Sequence, residues 1–264
     1  MEKIWIDQMG NAVRIPFPPT RIISLVPSQT ELLFDLGLEE QIIGVTKFCV
    51  HPYDKVKSKT IIGGTKKFNL DKIRELKPDL IIGNKEENYP EGISILQKEF
   101  PVWMSDIISL PNAYAMMLDV ARLSDREAMG TKMVEEIKSK FSTFQSHSNS
   151  KRVAYLIWKN PLMVAAEETF IHEMLTVYGW TNVFAGQKRY PEVSMEEIKA
   201  LEPDLIFLSS EPYPFSDQHV AEFQSFLPTS KVMLVDGEYF SWYGSRLLLA
   251  PNYFKVLGTE IAKK

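Results

Sequence analysis

Aromatic side chains mixed with single charges can hold a large, flat, partly apolar ligand. The rings cover its faces, and polar groups bond its fringe. Such a set stands out in this sequence. Trp158, Tyr190, Tyr213, Trp242, Tyr243 and Arg246 lie in or beside polar tracts that follow or precede apolar runs, and His51, Lys67, Glu86 and Glu211 stand at the edges of the same set. The plainer alternative is that surface loops are simply polar and rich in tyrosine. Other chemistry has less support. Cys49 and His51 make at most a pair of metal ligands, and no CxxC or HExxH completes a zinc site. A buried thiol beside a loop histidine is the better reading. Glu86 and Glu87 could act as general acid and base, but no Ser/His/Asp elbow or metal cluster accompanies them. Gly63-Gly-Thr-Lys-Lys67 does not meet the P-loop pattern, and no G-x-G-x-x-G occurs. The residues thus assign no catalytic group, no metal site and no resident cofactor.

The elements that must position these residues are organised around a repeat. Leu70 to Ile82, LDKIRELKPDLII, returns as MEEIKALEPDLIF from Met195 to Phe207. Aligning Pro78 with Pro203 gives an offset of 125 residues (203 − 78) without a gap. Glu86 and Glu211 share that offset, and so do Asp71 and Glu196. Asn69 and Ser194 suit N-caps, and Ser194 with Glu197 forms a capping box. A short helix follows in each copy, then a proline that ends it, then an apolar run typical of a buried parallel strand. The polar tracts after those runs lie at strand carboxyl ends, where open α/β sheets place a ligand crevice. Two copies are too few for a solenoid. They predict two similar lobes facing each other. Asp71 and Glu196 fall in the first helical turn, where the helix dipole alone favours a carboxylate.

The 264 residues are 45% hydrophobic and 24% charged, ordinary for a globular chain, and the net charge of −4 argues against nucleic acid as a partner. The single cysteine excludes an intrachain disulfide, and no apolar run reaches the length of a membrane span. Met-Glu-Lys-Ile-Trp-Ile-Asp lacks the apolar core of a signal peptide. This leaves two locations open: the cytosol, or the cell envelope with an export signal missing from this form of the chain.

Along the chain, Lys3–Ile6 and Ala12–Ile15 read as a hairpin around Met9-Gly10-Asn11. Strands follow at Arg21–Val26 and Ile42–Val45, and Ser28 with Glu31 reads as a capping box for a helix ending near Gly37. After the first repeat come a helix near Glu91–Glu99 and a strand at Pro101–Met104. A helix at Asn112–Arg122 precedes a second capping box, Ser124 with Glu127. Met129, Met133, Ile137, Phe141 and Phe144 then recur at helical spacing, so Asp125–Gln145 reads as one helix about 30 Å long, able to bridge two lobes. Beyond it, strands are expected at Arg152–Trp158 and Lys231–Val235, helices at Thr169–Tyr178 and Asp217–Phe226, and a closing helix from near Ser245. The expected division is an N-terminal α/β lobe at residues 1–108, a linking helical region at 109–146 and a C-terminal α/β lobe at 147–264, both lobes with mostly parallel sheets.

At this point the residues resemble a known family. Asp7-x-x-Gly10-Asn11-x-Val13-x-Ile15-Pro16, then Pro18-Pro19-x-Arg21-Ile22-Ile23-Ser24-Leu25, are similar to the start of the substrate-binding proteins of ABC importers for iron-siderophores, haem and vitamin B12. Pro27-Ser28-x-Thr30-Glu31, Asn69-Leu70-Asp71-x-Ile73 and Leu76-x-Pro78-Asp79-Leu80-Ile81 fit the same pattern. The resemblance covers essentially the whole chain and is nearest to the vitamin B12 branch. It implies the class III binding-protein fold, two α/β lobes on one backbone helix with the ligand in the cleft. It also implies a monomeric, non-enzymatic receptor that takes a metal chelate, cobalamin or another corrinoid first, and delivers it to a membrane permease. Haem or a ferric siderophore is the alternative ligand, and a cytosolic protein of the same fold handling a metal cofactor is the alternative role. Receptors of this kind dock by one acidic residue per lobe, which the resemblance places at Asp71 and Glu196. The chain departs from the B12 branch at Lys66 and Lys67, where that branch tends to carry a tryptophan.

Overall fold

The computed structural model describes residues 1–142 and 150–263. The chain opens with an antiparallel ribbon, β1 (Glu2–Ile6) and β2 (Ala12–Pro16), with Trp5 opposite Val13. Its turn is tied by the Asp7 side chain, which accepts from the backbone N–H of Met9 and Asn11 at 3.0 and 2.7 Å. Gly10 supplies the positive φ of 82° that the turn requires.

Described residues then form two compact units. The first takes Met1–Ile107, Pro111–Ser139 and Tyr243–Leu248. It is built from β3 (Ile22–Ser24), α1 (Pro27–Asp35), β4 (Ile42–Val45), α2 (Tyr53–Val56), β5 (Thr60–Ile61), α3 (Leu70–Leu76), β6 (Leu80–Asn84), α4 (Pro90–Leu96), β7 (Val102–Ser105), α5 (Leu110–Leu123) and α6 (Glu127–Ser142). Its sheet runs β5-β4-β3-β6-β7, all parallel. Every residue of β3, β6 and β7 is buried, which explains why these runs are apolar up to a polar last residue (Ser24, Asn84 and Ser105) instead of alternating. Gly44 on β4 admits Leu76 of α3, whose Cδ1 would lie 3.0 Å from any added Cβ. Gly130 does the same for α6, whose backbone comes so near Ala121 of α5 that a Cβ would overlap it.

The second unit takes the described residues of Ile108–Leu110, Lys140–Trp242 and Leu249–Lys264. Its elements are β8 (Arg152–Trp158), β9 (Met163–Val164), α7 (Phe170–Val177), β10 (Thr181–Asn182), α8 (Met195–Ala200), β11 (Leu205–Ser209), α9 (Asp217–Phe226), β12 (Lys231–Val235), α10 (Glu238–Ser241) and α11 (Ala250–Ala262). The order β10-β8-β11-β12 is parallel, with β9 antiparallel to β8. It repeats the β4-β3-β6-β7 order of the first unit. Side chains alternate across this sheet. Ala154, Leu156, Ile206 and Leu208 pack with Ile198, Phe223 and Leu227. On the other face Tyr155 and Phe207 meet Phe240, and Trp180 and Phe254 complete the aromatic cluster.

The duplication reaches further than the matched residues. Asn69 caps α3 by accepting from Lys72 N–H, and Ser194 caps α8 with the reciprocal Glu197 box. Lys77 and Glu202, each before the proline, both take φ of 45°. Proline excludes the right-handed helical region for its predecessor, and both copies resolve this with a left-handed residue. Asp79 then accepts from Arg21 N–H at 2.8 Å, and Asp204 from Arg152 N–H at 2.8 Å. The arginines reciprocate: Arg21 Nε donates to the Leu76 and Lys77 carbonyls, and Arg152 donates to those of Leu201 and Glu202. In each unit one arginine thus covers the open carbonyl end of the repeated helix, while the repeated aspartate holds the neighbouring strand in register.

Two expected caps are not formed. α1 begins at Pro27 with Val26 as its N-cap, and no side chain caps it. Proline at the first helical position needs no N–H partner, and this moves the N-cap two residues earlier, from Ser28 to Val26. Glu31 is thereby released to bond Arg246. Ser124 donates back to the Val120 and Ala121 carbonyls of α5 instead of capping α6. The expected single bridging helix has its described part in α6; Phe144, Gln145 and the tract Ser146 to Asn149 lie outside the described residues. The closing helix begins at Ala250, after a 3-10 turn at Ser245–Leu248.

Candidate ligand-binding loops

In the first unit the loops after β4, β5 and β6 leave the carboxyl ends of parallel strands and are tied together. Lys47 N–H donates to the Gly63 carbonyl at 2.8 Å. Asn88, in the loop after β6, donates to Thr65 O at 3.0 Å and Leu25 O at 3.3 Å. Asn84 closes β6 and organises that third loop: its Oδ1 accepts from the N–H groups of Glu86 and Glu87, and its Nδ2 donates to Ser105 Oγ at 3.0 Å. Gln29 donates to the same Ser105 hydroxyl. This buried amide network fixes where Glu86 and Glu87 emerge, and both are half-buried. His51 is half-buried and Lys67 exposed. Tyr243 is buried. Arg246, also buried, makes a two-pronged ion pair with Glu31, Nε at 3.0 Å and Nη2 at 2.6 Å. Burial raises the Glu31 pKa, while the Arg246 bonds and the nearby His51 charge pull against it. The Cys49 thiol sits 3.1 Å from the Thr30 hydroxyl and 3.2 Å from that of Thr46, and burial raises its pKa, so it stays protonated and unreactive. Among the described residues no group of three His, Cys, Asp or Glu could hold a metal ion.

In the second unit Trp158 ends β8 and remains 37% exposed. Its indole N–H donates to Asn160 O, and its ring meets Tyr213 edge-on with centroids 5.6 Å apart. Tyr213 is held in turn by Phe215 and His219. Glu211, after β11, behaves differently from Glu86. Its Oε1 accepts from the Ser241 hydroxyl and the Trp242 indole, each at 2.8 Å. Burial is the largest influence on Glu211 and raises its pKa; the two donors oppose this, and Glu238 and Asp236 reinforce it. Trp242 is therefore turned inward, with 6% of its surface exposed. Tyr190, in the segment before α8, is half-buried. The structure thus brings together Trp158 with Tyr213 and Glu211 with Trp242 in one unit, and places Arg246 beside Glu31 in the other. Asp71 and Glu196 are both exposed, and Asp71 pairs with Arg74 one turn along at 2.9 Å.

The periplasmic binding protein family matches residues 22–228, which takes in the first sheet and all of the second except β12. The chain belongs to the periplasmic binding protein family. A vitamin B12-binding protein of Vibrio cholerae is 27% identical over 199 residues, covering 74% of this chain and 72% of that one. An ABC transporter substrate-binding lipoprotein of Bacillus subtilis is 27% identical over 215 residues, 77% of this chain and 68% of the other. The periplasmic haem-binding protein of Roseiflexus sp. RS-1 superposes with a TM-score of 0.80 at 21% identity, over 92% of this chain and 99% of that one. The last likeness is one of fold: two α/β lobes with parallel sheets.

Sequence reasoning missed the Asn84–Ser105–Gln29 network and the Glu31–Arg246 pair. The first left a faint signal, an asparagine ending an apolar strand with a second asparagine four residues on. The second joins residues 215 apart and left none.

Proposed function

We propose that this chain is the substrate-binding component of an ABC importer, located in the cell envelope. It takes up a metal chelate, a corrinoid first, and delivers it to a permease without chemical change. The observation that carries this reading is the 27% identity to the V. cholerae vitamin B12-binding protein over most of both chains. The placement of the candidate residues agrees with it. Trp158 and Tyr213 present a braced, partly exposed aromatic surface at strand carboxyl ends, suited to the flat face of a macrocycle. Tyr190, His51, Lys67 and Glu86 are accessible in loops and would bond the ligand's polar fringe. Glu211 with Trp242, and Arg246 with Glu31, are bonded inside their own units, and Tyr243 is buried; these residues would act by holding the loops in place or by rotating toward a bound ligand.

Titration of the purified protein with cyanocobalamin, haemin and ferric siderophores, followed in the visible spectrum, tests the reading. One of these chelates is expected to bind in a one-to-one ratio. Trp158→Ala with Tyr213→Ala is expected to weaken that binding at least tenfold, about 1.4 kcal/mol. Failure of every chelate to bind would refute the proposal, and unchanged affinity in the double variant would remove these rings from the site.

A further inference from the structure

We infer that the ligand carries anionic groups on its periphery, carboxylates above all, and that Lys47, Lys66 and Lys67 receive them. This rests on the chelate-receptor reading and narrows its substrate class. Three observations place the lysines together. Lys47 opens the loop after β4, and Lys66 and Lys67 lie in the loop after β5, so both loops leave the same carboxyl edge of one parallel sheet. The loops are bonded to each other through Lys47 N–H and Gly63 O, and the second loop closes on itself through Gly64 N–H and Lys67 O at 3.0 Å. Phe48 packs so near Gly64 that an added Cβ would lie 3.3 Å from its ring. The two loops therefore form one surface.

All three lysines are exposed, and none has a carboxylate partner among the described residues. Lys47 lies 5.0 Å from the Phe48 ring centre, a contact that attracts the ammonium but brings no opposite charge. Some lysines elsewhere are neutralised: Lys55, Lys85, Lys159 and Lys188 each pair with a carboxylate at 2.5 to 2.6 Å. The acids of the adjoining third loop, Glu86 and Glu87, are half-buried, and no ion pair joins either of them to these lysines among the described residues.

Apolar surface stands among these charges. Phe48 is 50% exposed and Val50 43%, both in the Lys47 loop, and Tyr53 just beyond it is 66% exposed. Large side chains left in water at one loop cluster mark a surface meant to be covered. A flat apolar body laid on Phe48 and Val50 would exclude water from the lysines beside them and strengthen their attraction for any anion it carries. Three flexible ammonium groups suit carboxylates at the edge of such a body. A neutral amide fringe would gain no charge attraction there, and a cationic chelate would be repelled.

The test uses two matched ligand pairs on the full chain: haemin against haemin dimethyl ester, and cyanocobalamin against its carboxylate derivatives from mild hydrolysis of the side-chain amides. Each pair keeps the macrocycle and changes only the fringe charge. In the pair whose macrocycle fits, the anionic member is expected to bind at least tenfold more tightly. That preference should fall when salt is raised from 50 to about 500 mM. It should also be lost in Lys47→Gln with Lys66→Gln and Lys67→Gln, so that the anionic and neutral members bind alike. These substitutions lie on exposed loops, and an unchanged melting temperature shows that the variant is folded. Equal binding of neutral and anionic members, or an anionic preference that survives the triple substitution, overturns the inference and leaves the chelate reading standing. Binding of none of the four overturns the inference, and failure of the ferric siderophores as well overturns the chelate reading.

Discussion

Glu211 shows what a single buried carboxylate does here. Its desolvation is opposed by two donors at 2.8 Å, and its pKa still lies above the ordinary carboxylate range. In the unfolded chain this carboxyl loses its proton first as pH rises. Folding stability from Glu211 is therefore fullest below the unfolded pKa and declines as pH climbs through the folded one. Glutamine keeps an oxygen for Ser241 and Trp242 and never ionises. Glu211→Gln is expected to raise the melting temperature relative to wild type by about 2–4 °C at pH 8, the shift expected per kcal/mol at this size, and by much less at pH 4. Calorimetry at the two pH values checks this, and an equal gain at both would show that ionisation is not the cause. At this scale the sequence was only partly legible. That Trp158 and Trp242 belong to strand-end or loop segments could be read from apolar runs and turns. Which of them faces inward could not, because Trp242 is committed by a carboxylate 31 residues away. Ser28-x-x-Glu31 misled for a related reason: local spacing offered a cap, while Pro27 and the distant Arg246 took the two residues for other purposes.

The elements were far more legible, and the repeat explains why. A cap, a helical pair of apolar residues, a proline and an apolar run are all local, so each element announces itself. β8, α9 and β12 fall on the expected residues for that reason. Elements that depend on tertiary partners were not visible: β5, β9 and β10 are two residues each, and α10 has four. The arginine clasp belongs to this second class, because Arg21 and Arg152 reach carbonyls 55 and 49 residues away. Each guanidinium is a cation at a helix carboxyl end with charge-assisted bonds, and each is exposed, so its contribution is modest. Arg21→Met and Arg152→Met are each expected to cost about 1 kcal/mol. The double variant should show the sum to within about 0.5 kcal/mol, because the two clasps lie in different units and share no partner. Urea unfolding of the two single variants and the double measures this. A double variant no less stable than either single one would contradict the independence of the clasps.

For the whole molecule, the repeat makes a prediction that no single residue supports. Asp71 and Glu196 are the second residues of α3 and α8, both exposed, in helices that are capped, terminated and clasped alike. The helix dipole favours an acid at each position separately and requires no partner. Retention of the pair at corresponding points of two units gives a partner with matching cationic positions a matched set of contacts. We propose that these carboxylates meet the permease. Asp71 already bonds Arg74, so its charge is partly engaged until a partner arrives, whereas the charge of Glu196 is backed by Glu197 in the same turn. Exposed ion pairs contribute about 0–1 kcal/mol each, so their effect should fall on encounter rate and orientation more than on equilibrium affinity. Asp71→Lys with Glu196→Lys is expected to leave chelate affinity and melting temperature nearly unchanged. Chelate-dependent transport by the reconstituted importer should fall at least tenfold. Either single variant should lose less, and its transport should be the more sensitive to salt because half of the matched set remains. Normal transport by the double variant would exclude the pair from docking. A parallel loss of chelate affinity would show that the substitutions act on the ligand site instead.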